Sequence, residues 1–527
     1  MINKGMKIIT LALIALMVGF TTSCVKDLDT VPIDDSEITP EDAYGSPESF
    51  RQVLAKLYAG YAATGQQGPA GAPDIAGIDE GFSSYVRTYW VTQEIPTDEA
   101  IVAWADPGLP QFNTQSWNAS NDFVMAIYSR IFYQVTLTNE FIREAKDENN
   151  EQIQGYLAEA RFLRALSYYH ALDLFGERNQ PNAGVPFVTE DDPIGAFLPE
   201  PINSNDLFAY IEGELLDIED DLPAPGANEY GRADRGALWT LLTKLYLNAD
   251  VYTDEAKYSE AITYAKKVID EGGYQLDENY EHLFLADNHT ADGIIFPITF
   301  DGENTKTYGG TNFIVHAQVG GTMEAGDYGI DGGWQGHRVT RQFVDKFDVD
   351  NDGRAMFHTD GQTLEIENTG EFTQGYAVTK WKNINSDGTP GNVPEFADID
   401  FPMFRLADVY LMYAEAVARG GQGGNEQEAV DLINELRERA FGDASGNIST
   451  SDLTPQFVID ERARELYWEG HRRTDLVRHN QFTTNDYVWA WKGGIQEGAA
   501  TSDFRRIYPI PSADINANPN LIQNEGY

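Results

Sequence analysis

Residues 152–176 read QIQGYLAEARFLRALSYYHALDLFG, and this stretch decides the fold class. Apolar side chains recur every three or four residues, as in an amphipathic α-helix, and Gly176 closes the run. The stripe consists of Ile153, Leu157, Ala160, Leu163, Leu166, Tyr169 and Leu172. The pattern predicts one long helix whose apolar face is buried against another element.

Two later stretches have similar patterns, and each is typical of a helix–turn–helix unit. The first pairs a helix over 237–252 with one over 257–270, and the second pairs 406–419 with 426–440 across the glycine-rich turn 420–424. Units of about 34 residues are typical of tetratricopeptide repeats, which bury their apolar faces by stacking on neighbouring units. The sequence therefore predicts a mainly α fold with a tetratricopeptide-like scaffold of helix pairs.

Between these helical blocks the chain has a different composition. Residues 64–120 and 295–400 are rich in Gly, Asp, Asn, Thr and aromatic residues and show little helical period. Long irregular segments on a rigid scaffold are where binding residues concentrate, so we expect a loop-rich lobe that carries a ligand site. The end of the chain, 508–520, has too many prolines for a helix and is expected to wrap over the surface.

The composition of the 527 residues excludes several classes of protein. With 84 acidic and 37 basic side chains the formal charge is −47, so nucleic-acid phosphates would be repelled and no nucleic-acid partner is expected. A single cysteine excludes a disulfide framework and a four-cysteine zinc site. A hydrophobic fraction of 42% supports a large core, which excludes a disordered chain.

The first residues have the pattern of a secretion and anchoring signal. Lys4 and Lys7 precede an apolar run over 8–20 that is too short to span a bilayer, and small residues follow it. The only cysteine, Cys24, comes directly after them, as in a lipobox whose cysteine is acylated; the alternative is an incidental cysteine near a cleavage site. The expected organisation is a signal peptide over 1–23, a lipidated N-terminus and tether over 24–45, and a single body over 46–527.

The sequence contains no recognisable catalytic motif. It lacks the Gly-x-Ser-x-Gly elbow, the phosphate-binding Walker loop and the His-Glu-x-x-His zinc motif. A pair of carboxylates can hydrolyse a glycosidic bond, but among 84 acidic residues such a pair is expected by chance. The sequence favours a protein that is not an enzyme and requires no cofactor, with a surface glycosidase as an alternative.

One loop has the beginning of a calcium-binding motif. Asp348, Asp350 and Asp352 place oxygen donors at alternate positions, and Gly353 occupies the sixth position. Thr359 stands at the twelfth position, where an EF-hand requires a bidentate glutamate. The loop is therefore either a structural calcium site formed by the three aspartates or a solvated acidic turn.

The most basic part of this acidic chain is the segment 461–478, in which arginines alternate with carboxylates. The interleaved acids disfavour a nucleic-acid patch. We interpret the segment as a helix-end network of arginine–carboxylate bonds that packs against the scaffold.

Several blocks of the sequence resemble hallmark segments of the SusD/RagB family of outer-membrane lipoproteins. They are AEARFLRA at 158–165 running on to LFG at 174–176, LADVYLMYAEA at 406–416, ERARE at 461–465, GHRRTDLVR at 470–478 and YPIP at 508–511. The blocks stand in the family's order, and the resemblance extends over nearly the whole chain, from Cys24 to Tyr527.

The resemblance implies a mostly helical fold with a loop-rich lobe that holds the ligand. It further implies a protein that is anchored to the outer membrane through its lipid, faces the cell exterior and binds oligosaccharide. Such a protein caps a SusC-like TonB-dependent transporter and delivers the sugar to it. Some relatives serve peptide transporters, so a peptide-binding lid is a further alternative.

A closer likeness, to the starch-binding founder of this family, lies in the loops. It is carried by DEG at 79–81, RT at 87–88, PTDE at 96–99, YGGT at 308–311, GW at 333–334 and WKGG at 491–494. The likeness implies that Tyr308 and Trp334 stack on sugar rings and that Asp79 and Arg87 bond sugar hydroxyls. It places Trp104 in the same site.

The expected ligand is an α-glucan such as starch or a maltooligosaccharide. The founder has an aromatic residue at the position of Val102, so part of its platform is absent here. This departure keeps a differently curved glucan, such as β-1,3-linked laminarin, as the alternative. Aromatic loops suit either, because the apolar C–H face of a pyranose packs on indole and phenol rings.

Overall fold

The computed structural model describes residues 43–69, 73–178, 180 and 182–527. The predicted signal peptide, the lipidation site Cys24 and the tether up to residue 42 lie outside the described residues. The chain divides into two compact units, Met1–Val53 and Leu54–Tyr527, and apart from the first residues of α1 the features described below belong to the second. Among the described helices, none combines the length and the apolar character needed to cross a membrane.

Helices dominate the described part of the chain, which confirms the mainly α prediction. In the described residues they are α1 (Pro47–Ala62), α2 (Tyr85–Glu94), α3 (Pro110–Asn113), α4 (Asp122–Ala145), α5 (Glu151–Phe175), α6 (Ser204–Asp217), α7 (Arg235–Leu247), α8 (Ala249–Thr253), α9 (Tyr258–Glu271), α10 (Gly310–Gln318), α11 (Arg341–Val344), α12 (Leu406–Ala418), α13 (Glu426–Phe441), α14 (Pro455–Leu466), α15 (Arg472–Arg478) and α16 (Ser512–Ala517).

Helix α5 contains the stretch quoted above and confirms the predicted helix. Asn150 caps its first turn by accepting hydrogen bonds from the N–H groups of Gln152 and Ile153, and the helix ends before Gly176. Its second half is buried on nearly every side, because α5 packs against both α4 and α6. The buried surface of α5 is therefore wider than the single apolar stripe predicted from the sequence.

The two predicted helix pairs are present and pack on each other. The first consists of α7 and α9, the second of α12 and α13, and α9 contacts α12. Helix α7 ends earlier than predicted, because Asn248 has non-helical backbone angles and separates it from α8. The helices form one continuous stack in the order α4, α5, α6, α7, α9, α12 and α13.

The strands of the described chain are short and form antiparallel two-stranded sheets. They are β1 (Ile101–Val102) with β5 (His337–Arg338), β2 (Val185–Pro186) with β3 (Pro201–Ile202), β4 (Ile294–Ile298) with β8 (Phe401–Arg405), and β6 (Phe357–His358) with β7 (Ala377–Val378). The pairing of β1 with β5 sets Ile101 opposite Arg338 and Val102 opposite His337. It joins the two loop-rich segments at one place.

The structure corrects the expectation that these segments and the end of the chain lack helices. The segment 64–120 contains α2, and the segment 295–400 contains α10. Both helices are buried on almost every face, so neither has the one-sided period by which a helix is found from sequence. The proline-rich end forms α16, and Tyr508 and Ile510 are buried there instead of lying on the surface.

The basic segment 461–478 forms the predicted network, and the network is buried. Arg405 donates to Glu465 at 2.7 Å and to Glu469 at 2.9 Å, and Arg354 donates to Glu461 at 2.8 Å. Burial alone would raise the pKa of Glu465, but the guanidinium groups around it outweigh burial and lower this pKa to about 2. Glu465 is therefore ionised at neutral pH.

The network reaches the loop-rich lobe through Arg472. Its Nε and Nη2 donate to the two carboxylate oxygens of Asp98 at 2.7 and 2.9 Å. The carbonyl of Asp98 in turn accepts the hydroxyl of Thr340 at 2.8 Å. Because Thr340 lies two residues after the end of β5, this bond ties β5 to the helical scaffold.

A second buried pair, Glu94 and Glu99, lies beside this connection. Glu94 Oε1 accepts the backbone N–H groups of Gly470 and His471 at 2.6 and 3.1 Å. Burial raises the pKa of both carboxyls; the charge of Glu94 raises the pKa of Glu99 further, whereas the hydrogen bond with Glu99 partly lowers that of Glu94. The pair therefore retains a proton in the folded protein at a pH where exposed carboxyls have lost theirs.

We expect Glu465→Gln to lower the free energy of unfolding by about 3–5 kcal/mol, because it leaves buried arginines without the charge that they share. Denaturant titration followed by circular dichroism measures this change. The exposed pair Arg341–Glu365 supplies the matched control, and Glu365→Gln should cost less than about 1 kcal/mol. Equal losses in the two variants would contradict the role given to the network.

We expect Glu94→Gln to remove part of the pH dependence of stability. A carboxyl whose pKa is raised by folding stabilises the fold at acidic pH, and this stabilisation is lost as the pH rises above about 4.5 toward the folded-state value. Unfolding free energies of both proteins at about pH 5 and about pH 8 measure the effect. If the difference in unfolding free energy between the two proteins were the same at both pH values, this prediction would be wrong.

Candidate ligand-binding site

Three aromatic rings from the two loop-rich segments meet at the surface. The ring centroid of Trp334 lies 6.4 Å from that of Trp104 and 6.4 Å from that of Tyr308. The ring planes are inclined to each other by 49° and 59°, so the rings form a curved surface, here termed the aromatic arc. All three side chains are half-buried, which leaves part of each exposed.

Neighbouring rings hold the arc in position. His316 stacks on Trp334 with the centroids 4.7 Å apart and the planes within 24° of parallel. The backbone N–H of Trp334 donates to the carbonyl of His316 at 2.7 Å. On the other side of the arc, the ring centroids of Phe396 and Tyr308 are 5.5 Å apart. Burial lowers the pKa of His316, so the stacked imidazole is neutral at physiological pH.

The backbones that carry the two tryptophans are joined directly. Trp104 Nε1 donates to the carbonyl of Trp334 at 2.9 Å, and the N–H of Ala103 donates to the carbonyl of Gly336 at 2.8 Å. Only glycine fits at 336, since a Cβ there would lie 2.5 Å from the Trp104 ring. These contacts continue the pairing of β1 with β5 into the arc.

Arg87, one of the predicted sugar-bonding residues, is also engaged by the protein. Its Nη1 donates to the carbonyls of Tyr308 at 2.9 Å and Gly81 at 3.1 Å, and its guanidinium lies 4.3 Å from the ring centroid of Phe313. Burial lowers the pKa of Arg87 to about 10. The side chain thus positions the backbone of Tyr308, and its bond to sugar stays a prediction.

Arg338 on β5 is fully buried and bonds only backbone carbonyls in the described structure. The acceptors, at 2.8–3.2 Å, belong to Ile101, Gly336, Thr369, Glu371 and Gln374. Burial lowers the pKa of Arg338 to about 9. One guanidinium therefore holds the strand before Trp104, the turn after Trp334 and a third loop together.

The remaining predicted residue, Asp79, is exposed near Arg87. Its Oδ1 accepts the N–H of Phe82 at 3.2 Å, and its role toward a ligand stays a prediction. Three further residues at the arc, His316, Phe396 and Glu395, are not among those predicted from the sequence; Oε1 of Glu395 accepts the hydroxyl of Tyr308 at 3.2 Å. No motif marks these positions, because only folding brings them to the arc.

Val102, where the family founder has an aromatic residue, adds no exposed surface to the arc. Its side chain is 1% exposed, and its backbone N–H and carbonyl bond the side chain of Asn113 at 3.1 Å each. The missing ring therefore does not interrupt the three rings that meet here.

In the structure, two of the three aspartates of the predicted calcium loop bond side chains of the protein. Both carboxylate oxygens of Asp352 accept hydrogen bonds from Arg354, at 2.9 and 2.8 Å, and Asp348 accepts one from Asn351 at 2.9 Å. Within the residues that the structure describes, no group of three or more His, Cys, Asp or Glu side chains is placed to hold a metal ion. Asp352 serves the arginine network instead, and Asp348 and Asp350 lie on an exposed acidic turn.

The amino-acid sequence of this chain is similar to those of known proteins. The family model described as "SusD family" matches residues 359–527. The chain is 37% identical to the starch-binding protein SusD of Bacteroides thetaiotaomicron, over 98% of this chain and 98% of that protein. It is 25% identical to the SusD-like protein P2 of Formosa agariphila, over 79% of this chain and 83% of that protein.

Solved structures share the fold. A SusD superfamily protein from Parabacteroides distasonis matches with a TM-score of 0.71 at 21% identity, over 91% of this chain and 99% of that chain. The surface glycan-binding protein A of Bacteroides thetaiotaomicron, in complex with laminarihexaose, matches with a TM-score of 0.69 at 19% identity, over 90% and 99% of the two chains. At these identities the likeness establishes the fold alone.

We expect Arg338→Met to loosen the backbone under the arc while the helical stack keeps its stability. The amide of Ala103, which bonds Gly336, should exchange its hydrogen at least about ten times faster, because the carbonyl of Gly336 loses its second donor. Hydrogen exchange read by NMR or mass spectrometry measures this, with amides of α12 as an internal reference. Arg341→Met, at an exposed arginine bonded to Glu365, is the control; an equal effect there would disprove the assignment.

Proposed function

Because this chain belongs to the SusD family, we propose that it is a glycan-binding lipoprotein of the outer cell surface. It captures an oligosaccharide on the aromatic arc and delivers it to a SusC-like TonB-dependent transporter in the outer membrane. The observation that carries the proposal is the meeting of Trp104, Trp334 and Tyr308 as half-exposed rings on a rigid backbone.

The geometry of the arc suits carbohydrate. A pyranose ring offers an apolar C–H face to an indole or phenol ring, and three inclined rings can contact successive sugars of a curved chain. Arg87 and Asp79 lie at one side of the arc and can bond equatorial hydroxyls. An open site of this kind binds in the μM–mM range, about −4 to −8 kcal/mol.

We propose an α-glucan, such as starch or a maltooligosaccharide, as the ligand. The support is the 37% identity to a protein named for starch binding, together with the curvature of the arc. A β-glucan such as laminarin is the second candidate. The relative that holds laminarihexaose shares only the fold with this chain, so it does not decide between the two.

Attachment to the membrane is proposed through acylation of Cys24 after removal of residues 1–23. Several acyl chains at one terminus hold a protein far more firmly than one, since each buried CH₂ contributes about 0.8 kcal/mol. The tether then leaves the body outside the cell, where polysaccharide is encountered. Many tethered copies beside their transporters offset a weak affinity of each site.

The chain is not an enzyme, because proteins of the SusD family bind carbohydrate without catalysing a reaction. Incubation of the pure protein with its bound glycan should therefore release no reducing ends. The surface glycosidase considered above requires the opposite result. A peptide-binding lid would be supported by a blank glycan array together with peptides that copurify with the protein.

We expect a glycan array on the protein without residues 1–24 to give binding to glucans, strongest for α-linked chains. We expect Trp334→Ala to weaken binding of the best glucan about thirty-fold, or about 2 kcal/mol, because the central ring of the arc is lost. Isothermal titration calorimetry with maltohexaose and laminarihexaose measures both affinities.

The control for this substitution is Tyr230→Ala, an aromatic side chain that is 49% exposed and lies outside the arc. Its removal should leave the affinity within about two-fold of the unchanged protein. Binding by Trp334→Ala that equals binding by the unchanged protein would remove the arc as the site.

A further inference from the structure

Carboxylates border the aromatic arc on the side of Tyr308. Glu395 accepts the hydroxyl of Tyr308 at 3.2 Å, and Asp331 stands three residues before Trp334. Both acids are exposed. Besides burial and the hydrogen bond to Glu395, the charges of Glu395 and Asp331 raise the pKa of Tyr308, so both carboxylates lie within electrostatic range of this side chain.

Two more exposed carboxylates lie on the side of Trp104. Asp106 follows Trp104 by two residues, and Asp79 lies in the loop that Arg87 bonds at Gly81. Both charges support the ionised form of Arg87 against the effect of burial, so both lie within electrostatic range of that guanidinium. We term the four side chains the acidic rim: Asp79, Asp106, Asp331 and Glu395.

The two arginines closest to the arc are largely engaged by the protein, Arg87 through its Nη1 and Arg338 through its whole guanidinium group. Arg87 donates to two backbone carbonyls and Arg338 to five, and Arg338 is fully buried. In the stretches 96–110, 303–319 and 330–337, which carry the arc, Lys306 is the only lysine or arginine. The exposed charge around the rings is therefore predominantly negative.

Resting on the proposed function, we infer that the acidic rim makes the arc selective for uncharged glycans and excludes glycans that carry carboxylate or sulfate groups. A ligand anion on the rings would stand near four exposed carboxylates, whereas Arg87, whose Nη1 already bonds two backbone carbonyls, offers it only part of one guanidinium group. In a polysaccharide mixture the rim would thus reject uronic-acid and sulfated chains of the same backbone.

The expected size follows from Coulomb's law. Two like charges about 4 Å apart in water weaken binding about five-fold, and neighbouring pairs multiply this factor. At physiological salt, charges beyond about 8 Å are largely screened. The rim, and not the net charge of −47 spread over the protein, therefore sets the selectivity at the arc.

The test compares two ligands that differ only in charge. Maltohexaose and laminarihexaose are each measured against a derivative whose primary hydroxyls have been oxidised to carboxylates. The readout is the ratio of the dissociation constant of the oxidised chain to that of the neutral chain. We expect a ratio of at least about ten in the unchanged protein, falling as the salt concentration is raised to about 0.5 M.

Substitution of the rim should lower the same ratio. In Asp331→Asn/Glu395→Gln we expect it to fall at least about five-fold. Because the ratio is taken within one protein, any general loss of stacking in this variant cancels. The matched control is Glu426→Gln/Asp431→Asn on α13, which removes the same formal charge from exposed positions outside the arc and should keep the original ratio.

The outcomes separate this inference from the function on which it rests. Neutral glucans that bind with a ratio near one overturn the inference and leave the proposed function intact. An equal fall of the ratio in the rim variant and the control also overturns it, since the effect would then be one of net charge. Failure of every neutral glycan to bind overturns the proposed function and the inference with it.

Discussion

Buried guanidinium groups that must meet carboxylates are the constraint on which this structure depends. Arg354, Arg405 and Arg472 are almost wholly inaccessible to water, and an unpaired charge in such a place costs several kcal/mol. Arg354 and Arg405 therefore fix the distances from the segments that carry them to the acidic side chains of α14 and the turn after it. Arg472 does the same for the loop that carries Asp98. Hydrophobic packing of the helices alone leaves sliding motions that these directional bonds exclude.

The network also determines where the ligand surface stands. Arg472 holds Asp98, the carbonyl of Asp98 holds Thr340, and Thr340 follows the strand β5. From β5 the pairing with β1 leads to the bond between Trp104 and Trp334. An exposed site on loops thereby gains the rigidity of the helical stack, which lowers the ordering cost of binding.

The helical scaffold could be read from the sequence because its signals are local. The stretch around Leu163, the glycine turn 420–424 and the alternating charges after Glu461 each carry their own periodicity or chemistry. Helices α2 and α10 were not predicted, because a helix that is buried on nearly all sides has no contrast between an apolar and a polar face. The partner of Asp352 was likewise not predictable from local sequence. Its spacing is that of a cation ligand, but in the structure both of its carboxylate oxygens accept hydrogen bonds from Arg354.

By itself, the sequence determined the helix pairs, the arginine–carboxylate segment and the residue types able to stack on sugar, since all of these depend on spacing along the chain. Only the tertiary structure decided that Trp104 and Trp334, 230 positions apart, share one hydrogen bond and one curved surface. It also turned Arg87 and Arg338 toward backbone carbonyls and left carboxylates around the rings. The reason is that these contacts depend on how distant segments pack, and no local pattern records that.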